Sequence, residues 1–117
     1  MILAVDFDGT IASDRFPEIG EPLFYAIETL IEMRENGNKL ILWTCREDNA
    51  ERKYLTEAVE FCRQRGLEFD AVNENLPDSP FYEMGHSRKV YADFYIDDKS
   101  MFPKWEVYQQ TDLKLFV

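Results

Sequence analysis

Two short, unbroken apolar runs, Ile2-Leu-Ala-Val5 and Leu40-Ile-Leu-Trp43, constrain the fold more than any other feature of the chain. Neither alternates with polar residues, so neither leaves a face for water, which describes strands buried on both sides of a parallel sheet. Helical stripes fill the spaces between such runs. After Pro22, a residue suited to the first turn of a helix, Leu23, Ala26, Ile27, Leu30 and Met33 recur at helical spacing and stop at Asn36-Gly37. Tyr54, Leu55, Ala58, Val59 and Cys62 make a second stripe, with Asp48 or Asn49 to cap it and Gly66 to close it. Further strands are expected over 67–72, 90–96 and 113–117, with an irregular loop over 74–88 and a loop or short helix over 99–112 around Pro103 and Trp105. Strand and helix in alternation predict right-handed crossovers and an α/β fold: a mostly parallel sheet of about five strands with helices on both faces.

The chain has 117 residues, the size of one domain, and shows no repeat or linker, so 1–117 is read as a single unit. It carries 23 Asp+Glu against 13 Lys+Arg, a net charge of −10, which repels phosphate backbones and argues against long nucleic acid as a partner. No apolar run approaches the roughly 20 residues of a membrane span, and Met1 to Val5 runs at once into Asp6 and Asp8, unlike a signal peptide. Two cysteines, Cys45 and Cys62, are too few for a disulfide scaffold and fit a reduced, cytoplasmic setting. Apolar content of 45% leaves room for a buried subunit contact, so a homo-oligomer stays open.

In a parallel α/β sheet the ligand site lies beyond the carboxyl ends of the strands. There the polar residues of this chain collect. Asp6 and Asp8 follow the first strand, Thr44 the second, and Asp97 and Asp98 the fourth. Asp6 and Asp8, two residues apart in extended chain, point the same way about 7 Å apart. Gly9 lets the backbone turn sharply behind them. Four carboxylates on one rim repel each other unless a cation joins them, and all-oxygen donors with room for water and phosphate suit Mg²⁺. The competing reading is an Asp-Gly turn with solvated acids.

At this point the sequence resembles a known family. Asp6-Phe-Asp-Gly-Thr10, directly after an apolar strand, resembles the nucleophile motif of the haloacid dehalogenase (HAD) superfamily. Thr44 matches its second motif, a Thr or Ser ending the next strand, and Asp97-Asp98 matches the fourth, paired acids ending a later strand. Lys89 is the candidate for the third, a Lys ahead of that strand, with Arg88 as substitute. The stretch Ala92-Asp-Phe-Tyr-Ile-Asp-Asp-Lys99 is also similar to the deoxyribonucleotidase branch. The resemblance implies a three-layer Rossmann-like core and a two-step phosphoryl transfer. Asp6 attacks phosphorus to give an aspartyl-phosphate, and Asp8 serves as general acid and then base. Thr44 hydrogen-bonds the phosphate and Lys89 balances its charge. Mg²⁺ sits on the Asp6 carboxylate, the Asp8 backbone carbonyl and an acid of the Asp97-Asp98 pair.

Relatives that act on small metabolites usually carry a cap domain, and neither 11–21 nor 74–88 is long enough to fold as one. A capless site is open to bulky or nucleotide-like phosphorylated substrates. An idle subunit with the same fold is the alternative to a phosphatase. A receiver-type signalling domain fits less well, because its adjacent acids follow strand one rather than a later strand. A nucleotide-binding glycine loop is absent: the five glycines include no GxGxxG and no GK[ST].

The remaining candidates divide by environment. Arg46, two residues after Thr44, is placed to clamp a second phosphate oxygen, with a surface Arg at a helix entrance as the other reading. Cys45 and Cys62 are read as packing residues, Trp43 and Trp105 as core or sheet cover, and His86 as an ordinary loop residue. Glu28, Glu32 and Glu35 form a solvated helix face. Phe16, Pro17 and Ile19 are expected to form a flap over the site.

Overall fold

Leu3 and Val5 of strand β1 (Ile2–Val5) face one side of a sheet and Ala4 the other, and each side has its own core. The computed structural model describes residues 1–85 and 87–101. Its elements follow in the order β1, α1 (Ala26–Glu35), β2 (Lys39–Leu42), α2 (Tyr54–Arg63), β3 (Ala71–Val72), α3 (Pro80–Glu83) and β4 (Phe94–Ile96). The strands lie in the order β3-β2-β1-β4, all parallel. This is the expected α/β, Rossmann-like arrangement, with four strands among the described residues rather than five. The expected strand over 113–117, Trp105 and His86 lie outside the described residues.

The first core joins Leu3, Val5, Leu40 and Leu42 to Ile27 and Leu30 of α1 and to Ala58 and Cys62 of α2. The second joins Ala4 and Ile41 to Leu76, Val90 and Ala92, with Trp43 packed against it. Both helical crossovers therefore cover one face. The chain then reverses direction and passes from β3 to β4 across the other face, as right-handed connections require. Among the described residues only the single turn α3 is helical on that side, with the Ser79 hydroxyl capping it through Phe81 N. The buried Asn75 side chain ties this crossover together, accepting from Tyr91 N at 2.6 Å and donating to the Ser87 hydroxyl. No inserted cap domain occurs among the described residues.

Three boundaries differ from the sequence expectation. Helix α1 begins at Ala26, not Pro22, because Pro22 bridges Ala12 in antiparallel fashion and Leu23 N donates to Ile11 O. Tyr25, at φ 62°, then turns the chain into the helix. Strand β3 is only two residues long, since the Asp70 carboxylate takes the Leu40 N–H and Leu67 packs into the first core instead of pairing. Strand β4 starts at Phe94, because Val90 and Ala92 are spent on the second core. The N-cap position of α2 is Lys53, not Asp48 or Asn49, although Asp48 reaches the first turn from outside it, accepting from Thr56 N at 2.9 Å and from its hydroxyl.

Candidate functional site

Sheet register sets the site. Val5 is level with Leu42 on one side and Ile96 on the other, so the three strands end together. Asp6 N continues the ladder to Ile96 O at 2.9 Å and Trp43 N to Val5 O at 2.8 Å. Asp6, Thr44 and Asp97 therefore leave the sheet side by side, and they line one cleft of 290 Å³.

Asp6 is the inner acid of the cleft. Thr10 donates its hydroxyl to the carboxylate at 3.4 Å, and the same hydroxyl accepts from Asp98 N at 3.2 Å, which links the end of β4 to the loop after β1. Removal from water, with the charges of Asp97 and Asp98 beside it, pushes the Asp6 carboxyl up to about 6. Asp6, Asp97 and Asp98 can each offer a carboxylate oxygen within 4.8 Å of the others. Magnesium with oxygens at about 2.1 Å spaces them about 3–4.2 Å apart, so these three all-oxygen donors are the residues that could hold a hard divalent ion, Asp98 then exchanging its contact with Lys99 for the metal. Gly9 makes the approach of the two loops achievable: its φ is +87°, and a Cβ there would lie 2.8 Å from Asp98 Cγ.

Asp8 does not join that cluster. Its carboxylate accepts from Arg46 Nε and Nη2, both at 2.8 Å. Arg46 is 1% exposed, and its other N–H groups donate to the carbonyls of Glu18, Pro17 and Tyr54. All five guanidinium hydrogens are thereby used. This corrects the expectation that Arg46 clamps substrate phosphate. Its role in the structure is to hold Asp8, between the Phe7 and Phe16 rings, whose centroids lie 5.2 and 5.1 Å from its guanidinium carbon.

Thr44 keeps its expected place. Its N–H donates to Asn73 Oδ1 at 2.8 Å, its hydroxyl accepts from Arg46 N, and the residue lines the cleft. Sequence reasoning missed Asn73. It sits just past β3 at φ 53°, and its amide also donates to Arg46 O, so it fixes the Thr44–Arg46 turn from the neighbouring strand. An Asn directly after a strand, tolerant of the left-handed region, is the signal that was there to find.

Lys89 is not brought to the cleft. It lies over the Tyr95 ring in a separate hollow with Phe81, Ser87 and Tyr91, and Arg88 does not line the cleft either. The lysine that does line it is Lys99, whose Nζ stands 3.2 Å from Asp98 Oδ2 and 3.7 Å from Asp14 Oδ2. Cys45 also differs from expectation: it is exposed and forms part of the cleft wall. Cys62 is buried as expected, and burial pushes its thiol up to about 12. Of the segment expected as a flap, Phe16 stands in the cleft wall, whereas Pro17 does not line the cleft and Ile19 packs on the first core.

No helix among the described residues is long and apolar enough to cross a membrane. No family profile matches the chain, and no curated protein sequence matches it. Among solved structures, a conserved protein from Bacteroides thetaiotaomicron is similar at 46% identity and a TM-score of 0.74, over 92% of this chain and 84% of that one. Identity of that order over nearly the whole length means that this chain belongs to the same family as the conserved Bacteroides protein.

Proposed function

We propose that the chain is a Mg²⁺-dependent phosphohydrolase of HAD type, which works through an aspartyl-phosphate on Asp6. One observation supports this reading above the others. Asp6 stands between a strand-end hydroxyl, Thr44, and Asp97 in the wall of one cleft, with the Asp98 carboxylate within reach of both acids. That arrangement unites a nucleophile, a phosphoryl-oxygen donor and oxygen ligands for a hard cation.

In the first step an Asp6 oxygen attacks phosphorus, the P–O ester bond breaks, and a proton from Asp8 goes to the leaving oxygen. In the second, water attacks phosphorus, Asp8 takes the proton, and phosphate leaves with the Asp6 carboxylate restored. Thr44 donates its hydroxyl to a phosphoryl oxygen, and Lys99 supplies the cationic side chain assigned from sequence to Lys89. Asp6, Asp97 and Asp98 would hold the metal, which supplies neutralisation of phosphoryl charge.

The cleft is near the lower limit of the roughly 300–1,000 Å³ usual for small-ligand sites. It suits a phosphoryl head whose remainder projects outward, hence a bulky or nucleotide-like phosphomonoester. Phosphate release from parallel nucleotide, sugar-phosphate and phosphopeptide panels, with Mg²⁺ and with chelator, tests the reading. Metal-dependent release abolished by Asp6→Asn supports it. Release that survives the substitution contradicts it.

A further inference from the structure

We propose that Arg46 is a positioning residue that couples the Asp8 carboxylate to the segment 14–18, so that the seating of this segment over the cleft and the orientation of Asp8 are set together. The proposal rests on the phosphohydrolase reading only for what Asp8 does in turnover. The coupling itself rests on geometry.

One buried guanidinium serves both partners. Nη2 divides its hydrogens between Asp8 Oδ1 at 2.8 Å and Glu18 O at 2.9 Å, while Nε takes Asp8 Oδ2 and Nη1 reaches Pro17 O and Tyr54 O. The group is planar and rigid, so it cannot rotate toward one partner without losing the other. The Phe16 ring lies against the same guanidinium, and Phe16 packs on Tyr54 at the start of α2 with ring centroids 5.7 Å apart. From outside, Arg52 grips the segment again, through the Glu18 carboxylate at 2.8 Å and Pro17 O at 3.3 Å. On the far side of the cleft Asp14 reaches Lys99, which is itself paired with Asp98.

The segment is thus a strap, anchored on the α2 side through Arg46 and Arg52 and on the β4 side through Lys99. Opening it removes two acceptors, Pro17 O and Glu18 O, from a buried cation and leaves that cation to Asp8 and Tyr54 O. Withdrawing Asp8 removes the bidentate partner and loosens the strap. Coupling between two sites is reciprocal, so it can be read from either end.

Trypsin provides the readout, because Arg15 is exposed within the strap and Arg63 is exposed at the end of α2. Cleavage of the intact folded chain is followed at both residues by mass spectrometry. Asp8→Asn is expected to raise cleavage after Arg15 at least about fivefold relative to cleavage after Arg63, since slow proteolysis reports the open population. Arg46→Lys, which keeps the charge but loses the fork, is expected to do the same. It is also expected to lower kcat on p-nitrophenyl phosphate with Mg²⁺ while KM stays within about twofold. An unchanged Arg15-to-Arg63 ratio in both variants overturns the coupling, and so does a rise at the two sites together, which is global loosening. If the parent protein shows no Asp6-dependent turnover, the phosphohydrolase reading fails while the cleavage ratio still decides the coupling.

Discussion

Asp8 and Arg46 meet through two hydrogen bonds of 2.8 Å in a fork-to-fork pair, while Asp6, two residues earlier, faces the acids Asp97 and Asp98. The two carboxylates of one short motif thus have opposite surroundings. One is held by a buried cation, and the other stands among like charges that a cation would relieve. Different environments for paired acids are how one site assigns them different tasks.

The Arg46 pair is expected to matter for stability as well as geometry. Arg46→Ala strips Asp8 of its forked partner and takes one donor each from the carbonyls of Pro17, Glu18 and Tyr54, and should cost about 3–5 kcal/mol, read from urea unfolding at pH 7. Adding Asp8→Asn to Arg46→Ala should cost less than the sum of the two single changes, because the second removes a charge the first has stranded.

Asp6 predicts a pH dependence of the opposite sense to an ordinary ion-paired carboxylate. Its carboxyl is raised from 3.8 to about 6, mainly by burial, so the native state holds a proton there that the unfolded chain has lost. The stability this group contributes is complete below about pH 4 and is lost as pH rises through about 6. Asp6→Asn should therefore leave metal-free stability little changed at pH 4 and raise it by about 1 kcal/mol at pH 8, allowing for solvent screening at a half-exposed cluster. Thermal unfolding of both proteins across this range checks the sign. Mg²⁺ should stabilise the parent more than the variant.

Most of the candidate site was legible because strand ends are local features. The apolar run to Val5 predicts where Asp6 emerges, and the same reasoning places Thr44 and Asp97 beside it in the register of the sheet. What stayed hidden depends on contacts between distant parts of the chain. Arg46 reads as a rim residue until the carbonyls of Pro17 and Glu18 fold over it. The lysine assigned to the site, Lys89, is drawn to the Tyr95 ring, and Lys99 takes the cleft because it follows directly on the paired acids. The start of α1 was missed for the same kind of reason: the Ala12–Pro22 bridge is non-local and overrides the preference of proline for a first helical turn.

Gly9 is expected to tolerate no side chain. At φ +87° with Asp98 Cγ 2.8 Å from the position of a Cβ, Gly9→Ala combines a left-handed alanine with a displaced acid. A loss of about 1–3 kcal/mol in urea unfolding is predicted, together with weaker Mg²⁺ binding by calorimetry.

Asn73→Ala should act on Thr44 without touching the cleft directly. It removes the acceptor of Thr44 N and the donor to Arg46 O, at a predicted cost of about 1–3 kcal/mol. Turnover of any accepted phosphomonoester should fall with it, and Asn73→Asp, which retains the acceptor, should recover part of the loss.

The covalent step on Asp6 is the central claim, and chemical trapping tests it most directly. The protein is quenched in acid during turnover with Mg²⁺, reduced with borohydride, digested, and the peptide holding residue 6 is examined by mass spectrometry. An acyl phosphate at Asp6 is reduced to an alcohol, so the account predicts homoserine at position 6 in a fraction of chains, and none when substrate is omitted. Unmodified aspartate at position 6 in every chain, with reduction found at another acid of a preparation that releases phosphate, would contradict it.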